Sequence, residues 1–265
     1  MTGPDTRRGG EPFFNVPTSV LVAITLLIII HSALSFVLEN PVEILLDYGF
    51  VAARLLLLFG DDPLNEILAQ ARSLSNGADA ARLAALARYT LEDDAAKPWT
   101  MLTYALLHGS WTHLAVNAIW LLAFGAPVAR RFGGSRFFAL LAFTAFCGAL
   151  FHFFSHMDAV EPLIGASASV SGAMAAATRF VFQPGAPLGP FPLQGENGYL
   201  LRALSLRETF SDRRTLVFLA VWFGVNFITG VMSPAFMGGD TIAWEAHVGG
   251  FIGGLFGFRF FDPRR

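Results

Sequence analysis

The sequence predicts an all-α, polytopic membrane protein built as a six-transmembrane-helix bundle. Composition is the first observation behind this: of 265 residues, 54% are hydrophobic and only 14% charged, far from the balance of a soluble globular domain. The second is length. Six windows, at 17–38, 108–128, 137–156, 162–181, 214–233 and 241–260, are long enough to cross a bilayer core, which takes about 17 to 25 apolar residues. The third is where the positive charge falls. With the N-terminus inside, thirteen of the 18 Lys and Arg residues lie on the cytoplasmic side, and the two shorter outer loops, around Asp158–Glu161 and Met232–Asp240, carry none. Both termini are therefore expected in the cytoplasm.

In chain order, residues 1–16 read as a polar cytoplasmic lead, and the domain proper runs over 17–262. The first window is preceded by Arg7 and Arg8 but is too long for the core of a cleaved signal peptide, so it reads as a signal anchor. Residues 39–107 form one large outer loop. Within it Pro41–Phe59 is apolar but interrupted by Glu43, Asp47 and Arg54, which suits an interfacial segment. Asp61–Tyr89 is rich in Ala and Leu with charges at helical intervals, which predicts one or two solvent-side helices. The second window carries His108, His113 and Asn117, and the third Cys147, His152 and His156. The fourth contains Gly165-Ala166-Ser167-Ala168-Ser169-Val170-Ser171-Gly172. A cytoplasmic loop follows at 182–213, with four prolines early. The fifth window contains Asn226, and the sixth contains Glu245 within Glu245-Ala246-His247-Val248-Gly249-Gly250. Residues 263–265 are a cytoplasmic tail.

Several function classes are disfavoured. A net charge of −2 without a basic, aromatic-interleaved patch gives no reason to expect nucleic acid as a partner. The single cysteine, Cys147, makes neither a disulfide framework nor a Cys-based metal site. No internal repeat supports an inverted-repeat transporter, and a proton relay through His247 and Glu245 lacks charged partners on other helices. No metal or organic cofactor is expected.

Polar side chains inside apolar helices are costly to keep and are functional candidates. Windows two, four and six run in the same direction, and each holds its candidates near its outer start. Counted at about 1.5 Å per residue from Pro162 and Thr241, Ser167 and His247 fall at about the same shallow depth. His113 and Asn117, four residues apart, share one helical face. A hydroxyl and an imidazole make a nucleophile and its base, and His113, Asn117 and backbone N–H groups at the start of the fourth helix suit an oxyanion. Glu245 is two residues from His247 and points to another side of the helix, so a Ser–His dyad is the expected arrangement. Gly249 with Gly253, and Gly250 with Gly254, are spaced for close helix packing. Ser171 is the rival nucleophile, one turn deeper on the face of Ser167. His152 and His156 are spaced to ligate a metal but read as an interfacial pair; His108 reads as a brace for the outer loop, and His31 and Asn226 as isolated polar residues.

These motifs resemble the rhomboid family of intramembrane serine proteases over about residues 17–262. The family's G-x-S is matched by Gly165-Ala166-Ser167, its A-H-x-x-G by Ala246-His247-Val248-Gly249-Gly250, and its H-x-x-x-N by His113 and Asn117, with an earlier His at His108. The resemblance implies a nucleophile at Ser167, a base at His247 and oxyanion support from His113, Asn117 and the Ser167 amide. It implies acyl-enzyme cleavage of single-pass transmembrane protein substrates that carry small residues at the cut and helix breakers nearby. Water and substrate would enter past the fifth helix and the loop Met232–Asp240, with Gly238-Gly239 as a flexible lid. Partners are then membrane protein substrates and lipid, with oligomeric state open. The expected location is a bacterial inner membrane, with the active site opening outward. Three positions depart from the family pattern: Ala168 stands where Gly is common, Ser171 where many members have an aromatic, and Thr100 follows Trp99 where Arg often does. The alternative is an inactive rhomboid-like protein that binds membrane clients.

Overall fold

Among the described residues, six helical segments occupy the six apolar windows, with short helices filling the long loop at 39–107 and a 3-10 turn over Gly195–Leu200 and a short helix in the loop at 182–213. The computed structural model describes residues 16–92, 95–193, 195–236 and 243–264, with side chains not described for 231–236. The N-terminal lead before residue 16 and the Gly238-Gly239 lid thus lie outside the described residues. The first span is α1 (Thr18–Phe36). The outer loop folds into α2 (Pro41–Tyr48), α3 (Ala52–Leu56), α4 (Pro63–Ser73), α5 (Gly77–Leu91) and α6 (Thr100–Thr103). The second span is α7 (Trp111–Trp120), a wider π-helical turn over Leu121–Gly125, and α8 (Ala126–Phe132). Pro127 has no N–H to return to the preceding turn, and the helix widens just ahead of it. The third is α9 (Gly134–Ser155) and the fourth α10 (Ser167–Thr178). After the short α11 (Leu206–Thr209) come α12 (Arg213–Phe236) and α13 (Trp244–Phe261).

Among the described residues, three helical stretches, Thr18–Phe36, Trp111–Phe132 and Gly134–Ser155, are long and apolar enough by themselves to cross a membrane. The fourth segment corrects the sequence reading. Its helix covers 12 residues, about 18 Å at the usual rise, and starts at Ser167 rather than at Pro162. The chain enters instead as extended backbone: Leu163 pairs with Phe50 of the outer loop, N–H to O at 3.0 and 2.8 Å. A depth counted by helical rise from Pro162 therefore does not apply to Ser167. Every residue of α10 after Ser167 is buried, which an Ala- and Gly-rich helix at the centre of a bundle allows.

Charges that argued against spanning are handled locally. Arg54 is fully buried in the outer loop, donating to the carbonyls of Thr90 and Leu46 at 2.7 Å each. At the C-terminal end of α13, Arg131 of α8 makes a two-point contact with Asp262, at 3.1 and 2.9 Å, and donates to the carbonyls of Tyr199 and Leu201. That buried pair fastens α8, α13 and the loop at 182–213 together.

Candidate active site

Ser167 is the first residue of α10, and what precedes it is tied down at each step. The Gly165 N–H donates to the Tyr104 carbonyl at 3.0 Å, and the buried Tyr104 hydroxyl donates to the Ala145 carbonyl of α9 at 2.9 Å. Gly165 has φ +119°, a conformation open to glycine. A methyl there would lie 2.7 Å from Cε1 and Nε2 of His113 and 3.8 Å from Ser167 Oγ. Glycine at this position therefore lets the His113 ring reach across the start of α10, beside the serine. The first helical bond back is Val170 N–H to Ala166 O at 2.9 Å, so the N–H groups of Ser167 and Ala168 have no helical partner. Free N–H groups at a helix start attract negative charge.

The second span supplies the other side. Ser110 caps α7 by accepting from the His113 N–H at 3.1 Å. His113 is half-buried; Asn117 is 4% exposed and donates one amide hydrogen to the His113 carbonyl at 3.1 Å. Behind His113 stands His108, edge-on with ring centroids 5.0 Å apart, and behind that His31 of α1, packed 4.6 Å from Trp111. His31 and His108 are both buried, and their ring nitrogens have no hydrogen-bond partner among the described residues. Neither is isolated: the two back the candidate site.

α13 carries His247 and crosses α10 with almost no gap. A methyl on Gly250 would lie 2.1 Å from the Ala168 carbonyl oxygen, and one on Gly254 2.1 Å from that of Gly172. One turn before Gly250, His247 stands at the same end of the crossing as Ser167. Ala168, where the family often has glycine, is accommodated by a glycine opposite. A methyl on Gly148 of α9 would sit 2.5 Å from the Ala168 methyl.

The residue that sequence reasoning missed is Asn226. Its Oδ1 lies 2.6 Å from His247 Nδ1, and its Nδ2 donates to the Trp222 carbonyl of its own helix at 2.8 Å. The second bond turns the amide so that oxygen faces the imidazole. Nδ1 must then carry the proton, which leaves Nε2 as the ring's acceptor. The available signal was weak: a lone Asn on an apolar helix, 21 residues before the histidine. Ser167 is half-buried and its Oγ makes no hydrogen bond among the described residues. A base-to-hydroxyl contact that forms only with substrate is usual in unliganded sites. Ser169 donates instead to the Leu141 carbonyl of α9 at 2.8 Å, and Ser171 is buried one turn deeper. Cys147 is half-buried against Gly253.

A family model described as the rhomboid domain matches residues 95–261, which takes in α6 through α13 and every residue of this constellation except His31. No curated protein matches the chain. With well over half of its length matched by that model, the chain belongs to the rhomboid family.

Proposed function

We propose that the protein is an intramembrane serine endopeptidase that cleaves transmembrane or membrane-proximal segments of other membrane proteins. The observation that supports this reading is the close α10–α13 crossing, with Gly250, one turn after His247, against Ala168, the residue after Ser167, together with an imidazole whose Nδ1 is engaged by Asn226. In this mechanism Ser167 Oγ attacks the substrate carbonyl carbon as its proton passes to His247 Nε2. The oxyanion is met by His113, Asn117 and the unpartnered N–H of Ser167. Collapse breaks the C–N bond, and Nε2 gives the proton to the leaving amine. Water then attacks the acyl-enzyme with His247 again as base, releasing the acid and restoring Ser167. Asn226 holds the ring in the required tautomer and steadies the imidazolium that forms.

Both termini face the cytoplasm in this reading and the site opens to the outer side, as in a bacterial inner membrane. The substrate unwinds near helix-breaking residues, because lipid otherwise keeps its backbone hydrogen-bonded. α12 and the loop after it act as the gate.

The test is cleavage of a model single-pass substrate in proteoliposomes, with fluorophosphonate labelling in parallel. Ser167→Ala and His247→Ala should each lower the rate by about 10³-fold or more, whereas Ser171→Ala should stay near wild type. The label should map to Ser167. Equal cleavage by wild type and Ser167→Ala would overturn the assignment. A wild type that neither cleaves nor labels would favour the client-binding alternative.

A further inference from the structure

We propose that His152, His156 and Glu245 form a zinc site that fastens the outer end of α9 to the start of α13. His152 lies in the last turn of α9, and His156 follows four residues on as its C-cap, so the two rings leave the same face and stack with centroids 5.3 Å apart. Glu245 comes from the first turn of α13, with its Oε1 3.6 Å from His156 Nε2. One ligand atom from each of the three residues lies within 4.8 Å of the other two. Tetrahedral zinc, bound at about 2.0–2.2 Å, sets its ligand atoms about 3.3 Å apart. His156 and Glu245, 3.6 Å apart, are nearly at that spacing, and the widest pair closes in by up to about 1.5 Å.

That closure falls on the side chains free to make it. The His156 side chain is 47% exposed, and a turn of its ring requires no helix movement. His152 is the fixed corner: the residue is 8% exposed, and its Nδ1 is buried with no hydrogen-bond partner among the described residues. A buried ring nitrogen left unfilled is costly, and imidazole is the commonest metal ligand. The scaffold below is rigid. A methyl on Gly249 would lie 2.4 Å from Phe151 Cβ and 2.7 Å from the Cys147 carbonyl oxygen, so α9 and α13 cannot drift apart and back cheaply.

Two imidazoles and one carboxylate suit zinc and its borderline-soft neighbours, and suit calcium or magnesium poorly, since those prefer oxygen alone. Two histidines four residues apart on one face already form half of such a site. Three protein ligands leave a fourth position for water at the outer mouth. Glu245 is two residues before His247, so a bound ion would pin the turn of α13 that carries the candidate base. The inference itself does not depend on protease activity.

The test uses untagged full-length chain in detergent, in a Ser167→Ala background, stripped with EDTA and titrated with zinc chloride by calorimetry. Metal analysis after gel filtration gives the stoichiometry. One zinc per chain is expected, and His156→Ala and Glu245→Gln should each weaken binding by about tenfold or more. Zinc should raise the Tm of the parent but not of these variants, and magnesium or calcium chloride should do neither. Both variants alter the partly open rim, so they keep the fold that a change at buried His152 would put at risk. No retained zinc, or retention equal in the parent and both variants, overturns the site. Cleavage is not measured, so failure of the protease reading would leave this result intact.

Discussion

α13 is held in opposite ways on its two sides. Toward α9 and α10 it presents Gly249, Gly250, Gly253 and Gly254, and the approach is so close that backbone meets backbone. Its C-terminal end is pinned as well by the buried Arg131–Asp262 pair. Toward α12 its contacts among the described residues are side-chain ones: Trp222 and Phe223 against Phe251, with ring centroids 4.5 and 5.6 Å away, the Asn226–His247 hydrogen bond, and Gly230 against Trp244. Residues 222, 226 and 230 recur every four on α12, a single stripe on one helical face. The first side cannot open without rebuilding the bundle. The second is held by ring contacts, one side-chain hydrogen bond and the Gly230–Trp244 packing, and parts when these are lost. In the proposed mechanism α12 is the gate: α13, with the proposed base, would then stay in register with Ser167 while its neighbour moves, and that movement would separate Asn226 from His247.

The sharpest way to break the comparison is to put a side chain into the tight seam. Gly254→Leu would place Cβ 2.1 Å from the Gly172 carbonyl oxygen, where backbone cannot yield. The expected cost is about 4 kcal/mol or more, read as loss of monodisperse protein on gel filtration. Next comes Asp262→Ala, which leaves the buried Arg131 guanidinium without its partner. It should destabilise the fold by about 3–5 kcal/mol in denaturant titration. On the loose side, Asn226→Ala should cost only about 1 kcal/mol of stability. Its effect on turnover should be larger, a fall in kcat of about 10- to 100-fold with little change in KM. Asn226→Asp restores an acceptor for Nδ1 and should recover part of that loss. A drop in stability matching that of Asp262→Ala, with turnover unchanged, would show Asn226 to be a structural tie only.

The smallest effect lies away from α13, in the loop at 182–213. Glu208 accepts from Arg202 and from the Ser205 N–H, each at 2.6 Å, and closes a capping box on α11. The Arg202 guanidinium first, then Ser205, hold this exposed carboxyl down from its ordinary 4.5 to about 2. Its contribution is thus complete above pH 4.5 and fades as pH falls toward 2. Hydrogen-exchange protection over residues 202–209, measured relative to the intrinsic rate at each pH, should fall as pH drops across that window while the α10–α13 seam stays protected.

What could be read from the chain alone divides along physical lines. Runs of apolar residues must leave water, so the all-α membrane fold and its six segments follow from composition and length. Gly165 before Ser167 and the glycines after His247 announce close approach, because no other residue permits it. Where α10 begins was hidden, since an extended stretch threaded past Phe50 is as apolar as a helix. The link between Asn226 and His247, and the meeting of Glu245 with His156, were hidden for another reason. A periodic pattern says which side chains share a helix face; only packing decides which face meets which. Single polar residues on different helices become a site when the tertiary structure sets those faces within a hydrogen-bond length of each other.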